Sequence, residues 1–274
     1  MARSSGTRLG TCHVCGAYGP LTFEHVPPRA AYNNAPVIQA TFEAMFDAAP
    51  GAPIKGPVRQ RGAGAFTLCA PCNNTTGHRY GPQFALWSQQ GMQILVHSRG
   101  APTLVYPFHT MPLKVLKQIA TMFFAINNDQ FQAVNPDLVR FVLNGTARFL
   151  DPRYRFFVYF APMARFRQFG LSAQMSFGSG RDPIIASEIS FPPFGYVMTI
   201  DSPPPDKRLC EISHFSAYGS QEFTDVNLKI PALPTIASFP GDYRTLKEIQ
   251  ATVAENESYR REHVAPGRAA PVSR

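Results

Sequence analysis

Charge is what this chain has least of: Asp, Glu, Lys and Arg together make up 16% of its 274 residues, against 45% that are hydrophobic. Such a composition can bury a core and excludes a disordered chain, which has too little apolar surface to offset the entropy of ordering. No stretch approaches 18 uninterrupted apolar residues, so no membrane-spanning helix is expected. The opening Met-Ala-Arg-Ser-Ser-Gly leads into no apolar segment of the kind that directs secretion, and a cytoplasmic protein is the expectation. No internal repeat is found, which argues against a solenoid or propeller. Cysteine is also scarce. There are five, two close pairs and a lone Cys210, and in a reducing cytosol such pairs read as metal ligands before disulfides.

Acids are scarcer than bases, 18 against 26, for a net charge of +8 and a pI near 9.4. Residues 1–100 hold eight Lys and Arg against Glu24, Glu43 and Asp47, so most of the excess lies in the first third. Cations that neutralise phosphates gain from counterion release, and the charge therefore favours a nucleic-acid partner, DNA before RNA.

What the chain does have is proline, 26 residues, and glycine, 20, which together call for many turns and a partly β architecture. Residues 1–10 read as a flexible lead. Residues 11–80 are rich in Gly, Pro and Asn and need a metal to fold. Within them Val37–Ala48 can form a short helix, and 50–64 a mobile loop. Helices are expected from Pro82 through Phe84, Trp87 and Leu95, then from Thr110 as cap through Phe124, then from Asn135-Pro136 to Leu143. From residue 154 the period shortens, and 154–161, 170–177, 184–191, 194–201, 208–215 and 222–230 read as strands of an antiparallel sheet. A helix over 244–262 closes the chain, ahead of a disordered tail, 264–274. The fold class is α+β: a zinc-stapled module over 1–100, then a helical segment and an antiparallel-sheet α+β domain over 101–263.

The strongest chemical signal is Cys12-x-x-Cys15 with Cys69-x-x-Cys72. Each pair can point two thiolates at one tetrahedral ion, and two pairs close a structural Zn²⁺ site. Between and after them stand Leu21-Thr22-Phe23-Glu24-His25-Val26-Pro27-Pro28 and Cys72-Asn73-Asn74. An acidic residue and a His at a strand end, then proline, then Cys-x-x-Cys-Asn opening a helix: in this order residues 11–80 resemble the HNH endonuclease family, under a third of the chain. The resemblance implies a ββα-metal fold in which His25 is the general base and Glu24 a ligand of a catalytic Mg²⁺ or Mn²⁺. Asn73, or Asn74 if the helix phase differs, completes that site, while the zinc is purely structural. It implies hydrolysis of phosphodiester bonds, in a setting such as restriction or antiphage defence. The family's central Asn, ahead of the second cysteine pair, is missing from Arg61-Gly62-Ala63-Gly64-Ala65-Phe66-Thr67; Asn33, Asn34 or Gln60 are the residues that can replace it.

Arg29, Lys55, Arg59, Arg61 and Arg79 fall around this segment and can neutralise phosphates, or else are solvated surface charge. His13, between two zinc cysteines, reads as exposed, and Cys210 as a core thiol. His78, a turn past Asn74, can serve a metal or a phosphate. Arg and aromatics alternating over 148–167 read as a half-buried strand before a nucleic-acid platform. Two rivals stand beside the nuclease: a non-catalytic zinc module that binds nucleic acid, and a sensor or interaction protein for which the zinc unit is scaffolding.

Overall fold

The computed structural model describes residues 8–40, 55–98, 101, 103–162, 166–174, 183–236 and 239–263. Strands β1 (Arg8–Thr11) and β2 (Tyr18–His25) form a hairpin whose turn carries the first cysteine pair. Two short strands, β3 (Val37–Ile38) and β4 (Val58–Arg59), pair with each other. β5 (Gly64–Cys69) then pairs with β2, giving a three-stranded antiparallel sheet in the order β1-β2-β5. The expected helix from Val37 therefore starts as strand, and its remainder, 41–48, lies outside the described residues. Part of the expected mobile loop, 58–59, is paired as β4.

Helix α1 (Ala70–His97) runs 28 residues without a break, absorbing both the helix opened by Cys69 and the one expected from Pro82. A proline inside a helix removes one backbone bond and crowds the preceding turn. Here the turns on either side are tied down. Tyr80 donates its hydroxyl to the Val142 carbonyl at 2.6 Å, and Phe84 and Trp87 are buried.

β6 (Thr103–Thr110) leads into α2 (Pro112–Ile126), followed by α3 (Phe131–Val134) and α4 (Pro136–Leu143). α2 starts at Met111 and not at a Thr110 cap; Thr110 is the last residue of β6 and pairs with Thr224. Almost every residue of α2 is buried, as expected for a helix packed on all sides. Strands β7 (Tyr154–Phe160), β8 (Arg167–Gln174), β9 (Ile184–Phe191), β10 (Phe194–Ile200) and β11 (Cys210–Glu211) form one antiparallel sheet in the order β11-β7-β10-β9-β8. The strand expected at 208–215 stops after two residues. Ser213 turns into a 3₁₀ helix (Ser213–Ala217) and donates its hydroxyl to Glu211 at 2.8 Å. β12 (Thr224–Pro231) returns to pair with β6, and α5 (Leu246–His263) follows. The fold is mixed α+β, with five helices and four antiparallel sheets among the described residues. The expected tail, 264–274, lies outside them.

One apolar cluster runs from Cys12 and Leu68 through α1 and α2 to Phe156, Phe194 and Ile230, so the cysteine-bearing segment and the large sheet share a core. Its centre is Trp87, stacked on Phe194 at 5.0 Å and 4.2 Å from Phe108, with its indole N–H donated to the Tyr196 hydroxyl at 3.0 Å. Gly91, one turn on, lets the Phe194 ring lie against α1: a Cβ there would fall 2.2 Å from a ring carbon. Of the Arg and aromatic stretch, Tyr154–Phe160 fold as β7 and Arg167 opens β8, with Arg153 paired to Asp201, Arg155 to Glu211 and the buried Arg167 to Glu188. Arg148 and Phe149 lie in no strand, and 163–165 are outside the described residues.

Candidate functional site

The two cysteine pairs meet. The ligand atoms of Cys12, Cys15, Cys69 and Cys72 all lie within 4.8 Å of one another, and Cys15 Sγ is 3.7 Å from Cys69 Sγ. The first pair sits in a tight turn closed by Cys12 N–H to Ala17 O and Gly16 N–H to Cys12 O, both 2.9 Å. The second straddles the join of β5 and α1: Cys69 caps the helix and Cys72 lies in its first turn. The Cys69 N–H points at Cys12 Sγ, 3.3 Å away, and the positive end of the helix dipole favours thiolate there.

A bulge and one backbone hydrogen bond hold the pairs in register. β2 and β5 slip past each other between Thr22 and Phe23, leaving Thr67 as the extra residue, and its carbonyl takes the His13 N–H at 2.9 Å. The Cys12 thiol is pulled down to about 4, chiefly by a hydrogen bond from Cys72, whose own thiol the same bond pushes up. Four sulfurs at this separation, two buried, could bind a zinc ion, which requires thiolates and would release their protons. His13 is no part of the cluster; its ring contacts the Phe124 carbonyl at 3.3 Å.

From this clamp β2 runs to His25. The ring of His25 meets Phe23 edge-on at 4.9 Å, so the two share a face, and Glu24, between them, points the other way, into the interior. His25 Nε2 lies 3.1 Å from the Arg61 carbonyl. A carbonyl can only accept, so Nε2 carries the proton and Nδ1 keeps a free lone pair. Burial holds the imidazole below its ordinary value; the Arg61 carbonyl opposes this, and the charges of Arg29 and Arg61 add to it.

Glu24 is only 7% exposed, and its carboxyl has no hydrogen-bond or ion-pair partner among the described residues. Burial raises it to about 8. A carboxyl so placed either keeps its proton or meets a cation. Asn73 donates its amide to Thr22 Oγ1 at 2.9 Å and reaches the Phe23 carbonyl at 3.4 Å, tying the first turn of α1 to β2 directly ahead of Glu24. Its amide oxygen makes no such bond among the described residues. A carboxylate and an amide oxygen are donors of the kind a hard dication such as Mg²⁺ or Mn²⁺ takes, but β2 turns Glu24 into the interior and His25 to its opposite face. Asn74 is exposed on the outside of the helix.

Of the three residues that could brace the His25 loop, Asn33 does so. Buried to 1% exposure, it donates to the Pro27 and Ala63 carbonyls and accepts the Ala63 N–H, all at 2.7 Å. The approach is so close that at Gly62, where φ is +102°, a Cβ would fall 2.3 Å from the Asn33 carbonyl oxygen. A second brace was invisible in the sequence. Gln168, on β8 and 142 residues away, donates to the Val26 carbonyl at 2.6 Å. No local spacing signals it.

The five candidate phosphate contacts divide. Arg29 and Arg61 are exposed beside His25, close enough to act on its ring. Lys55 is exposed, and Arg59 on β4 reaches Gln39 at 3.3 Å. Arg79 lies elsewhere, on α1, donating to the Leu143 carbonyl at 2.9 Å beside His78. Cys210 is half-buried against the core, its thiol raised to about 11 by burial. Among the described residues no helix is long and apolar enough to cross a membrane. No family model, curated protein or solved structure matches this chain.

Proposed function

We propose that the protein is a metal-dependent endonuclease of the HNH kind, hydrolysing phosphodiester bonds, with DNA the first substrate to test. The observation that carries the reading is the surroundings of His25. A strand-end imidazole holds one nitrogen against a backbone carbonyl and leaves the other free, and the preceding residue, on the opposite face of the strand, is a buried carboxyl with no hydrogen-bond or ion-pair partner among the described residues. A general base needs an unprotonated nitrogen open to water, and burial, by lowering the imidazole's pKa, keeps that nitrogen unprotonated near neutral pH.

In this mechanism Nδ1 of His25 takes the proton of the attacking water. The Arg61 carbonyl fixes the ring and steadies the imidazolium as it forms, and the Asn33 brace holds the loop that presents that carbonyl. Glu24 and Asn73 would hold the Mg²⁺ or Mn²⁺, which when bound supplies positive charge for the scissile phosphate and the leaving oxygen. Arg29 and Arg61 draw the backbone to the strand end. The four cysteines take no part in the chemistry; they lock β2 to the start of α1, and with them the spacing of His25 and Asn73.

The test is plasmid nicking with Mg²⁺ or Mn²⁺, wild type against His25→Ala. Loss of the base should lower the rate by about 10²- to 10⁴-fold, with folding and zinc content unchanged. Equal nicking by the two proteins would remove the enzyme and leave a zinc module that binds nucleic acid.

A further inference from the structure

Away from His25, a cleft of about 550 Å³ opens between α1, the start of α2 and the turn after α4. His78, Arg79 and Lys114 line it together with Asn144, Thr146 and Gln221, and no Asp or Glu does. The nearby end of α4 would repel an anion, because the last carbonyls of a helix carry about half a negative charge. Each of them is already covered. Lys117, buried in α2, donates to the Phe141 and Asn144 carbonyls at 2.6 and 2.5 Å; Tyr80 covers Val142, and Arg79 covers Leu143. With the helix end covered, the two cations that line the cleft, Arg79 and Lys114, outweigh its roughly half a negative charge and leave the cleft positive. Two of its cations are also held in place: Arg79 by Leu143, and Lys114 by Gln221 at 3.3 Å.

We infer that this cleft is a second phosphate site, binding a nucleotide phosphate through Arg79 and Lys114, with His78, Asn144, Thr146 and Gln221 supplying further hydrogen-bonding groups. The phosphate is taken to be one of the nucleic-acid backbone, a choice that rests on the nuclease reading. His78 and Arg79 stand five and six residues past Asn73, about 8–9 Å along α1 but roughly 120–140° around it, so a strand held at the strand end reaches the cleft by following the surface of α1. The site adds grip and register without touching the scissile bond.

The test is binding of a fluorescent DNA duplex to the full zinc-loaded chain without added Mg²⁺ or Mn²⁺, over a series of salt concentrations. Lys114→Ala is the variant, since the one hydrogen bond its side chain makes among the described residues is to Gln221; Lys247→Ala, on the exposed α5, is the control. Lys114→Ala should weaken binding to any sequence and lower the slope of log affinity against log salt by about 0.7–0.9, the share of one phosphate contact. The control should not. A Lys114→Ala slope equal to wild type overturns the proposal. So does the opposite pattern, in which Lys114→Ala abolishes binding of a nucleoside monophosphate while duplex binding is unchanged, which would assign the cleft to a free nucleotide. Failure of the nuclease reading is seen separately, in the nicking assay on His25→Ala, which does not involve Lys114.

Discussion

The segment up to the start of α1 and the five-stranded sheet are held by different means. In the first, buried side chains are few and small, and polar clamps do the joining: four thiols, the three hydrogen bonds of Asn33, and Asn73 on Thr22. In the second, Phe156, Phe160, Phe194 and Tyr196 fill both the sheet face and the space beneath α1 and α2. The groups assigned to the proposed chemistry lie in the first, and the second supplies the apolar packing that the first lacks.

The sharpest way to break this contrast is to remove a sulfur. Cys12→Ser should abolish zinc binding by the four cysteines, and since structural zinc contributes about 10–16 kcal/mol to small modules that fold around it, the β1-β2-β5 sheet should lose its order. Metal analysis should then find less than one zinc per chain, with lost hydrogen-exchange protection confined to the β1-β2-β5 sheet. Retention of a full zinc would mean that three thiolates and water suffice. Phe194→Ala strikes the other region. It should cost about 3–5 kcal/mol in urea denaturation and leave one zinc per chain. Loss of zinc there would mean the two regions unfold together. The smallest effect is expected of Asn33→Ala. It strands the Ala63 N–H and two carbonyls at a cost of about 1–3 kcal/mol, and nicking should fall further than stability does because the Arg61 carbonyl loses its aim. Unchanged nicking would show that Gln168 alone positions the loop.

How much of this could be read from the chain depended on range. The cysteine pairs, Glu24-His25 and Asn73 stood out because each is a local pattern, and the strands from 154 on because alternation of apolar residues is local as well. β6 was missed: Pro107 lies within it, its partner β12 lies more than a hundred residues later, and a proline within such a run argues against a strand. The strand at Val37 was read as helix because a pair of two-residue strands leaves no periodicity to find. Asn33 could be named only as one of three braces, since its partner Ala63 is 30 residues on and the contact depends on Gly62 having no side chain. The cleft at Lys114 joins residues from three distant segments, and no spacing rule collects them.

The unbroken run of α1 has a practical corollary. The chain's sole tryptophan rides on the same rod as Cys72, about four turns away, within a ring of aromatic neighbours. Any tilt of that rod when the sulfurs gain or lose their ion shifts the indole against Phe108 and Phe194. Zinc added to the four thiols would thus be read out by the indole itself, as a change of emission colour without a label.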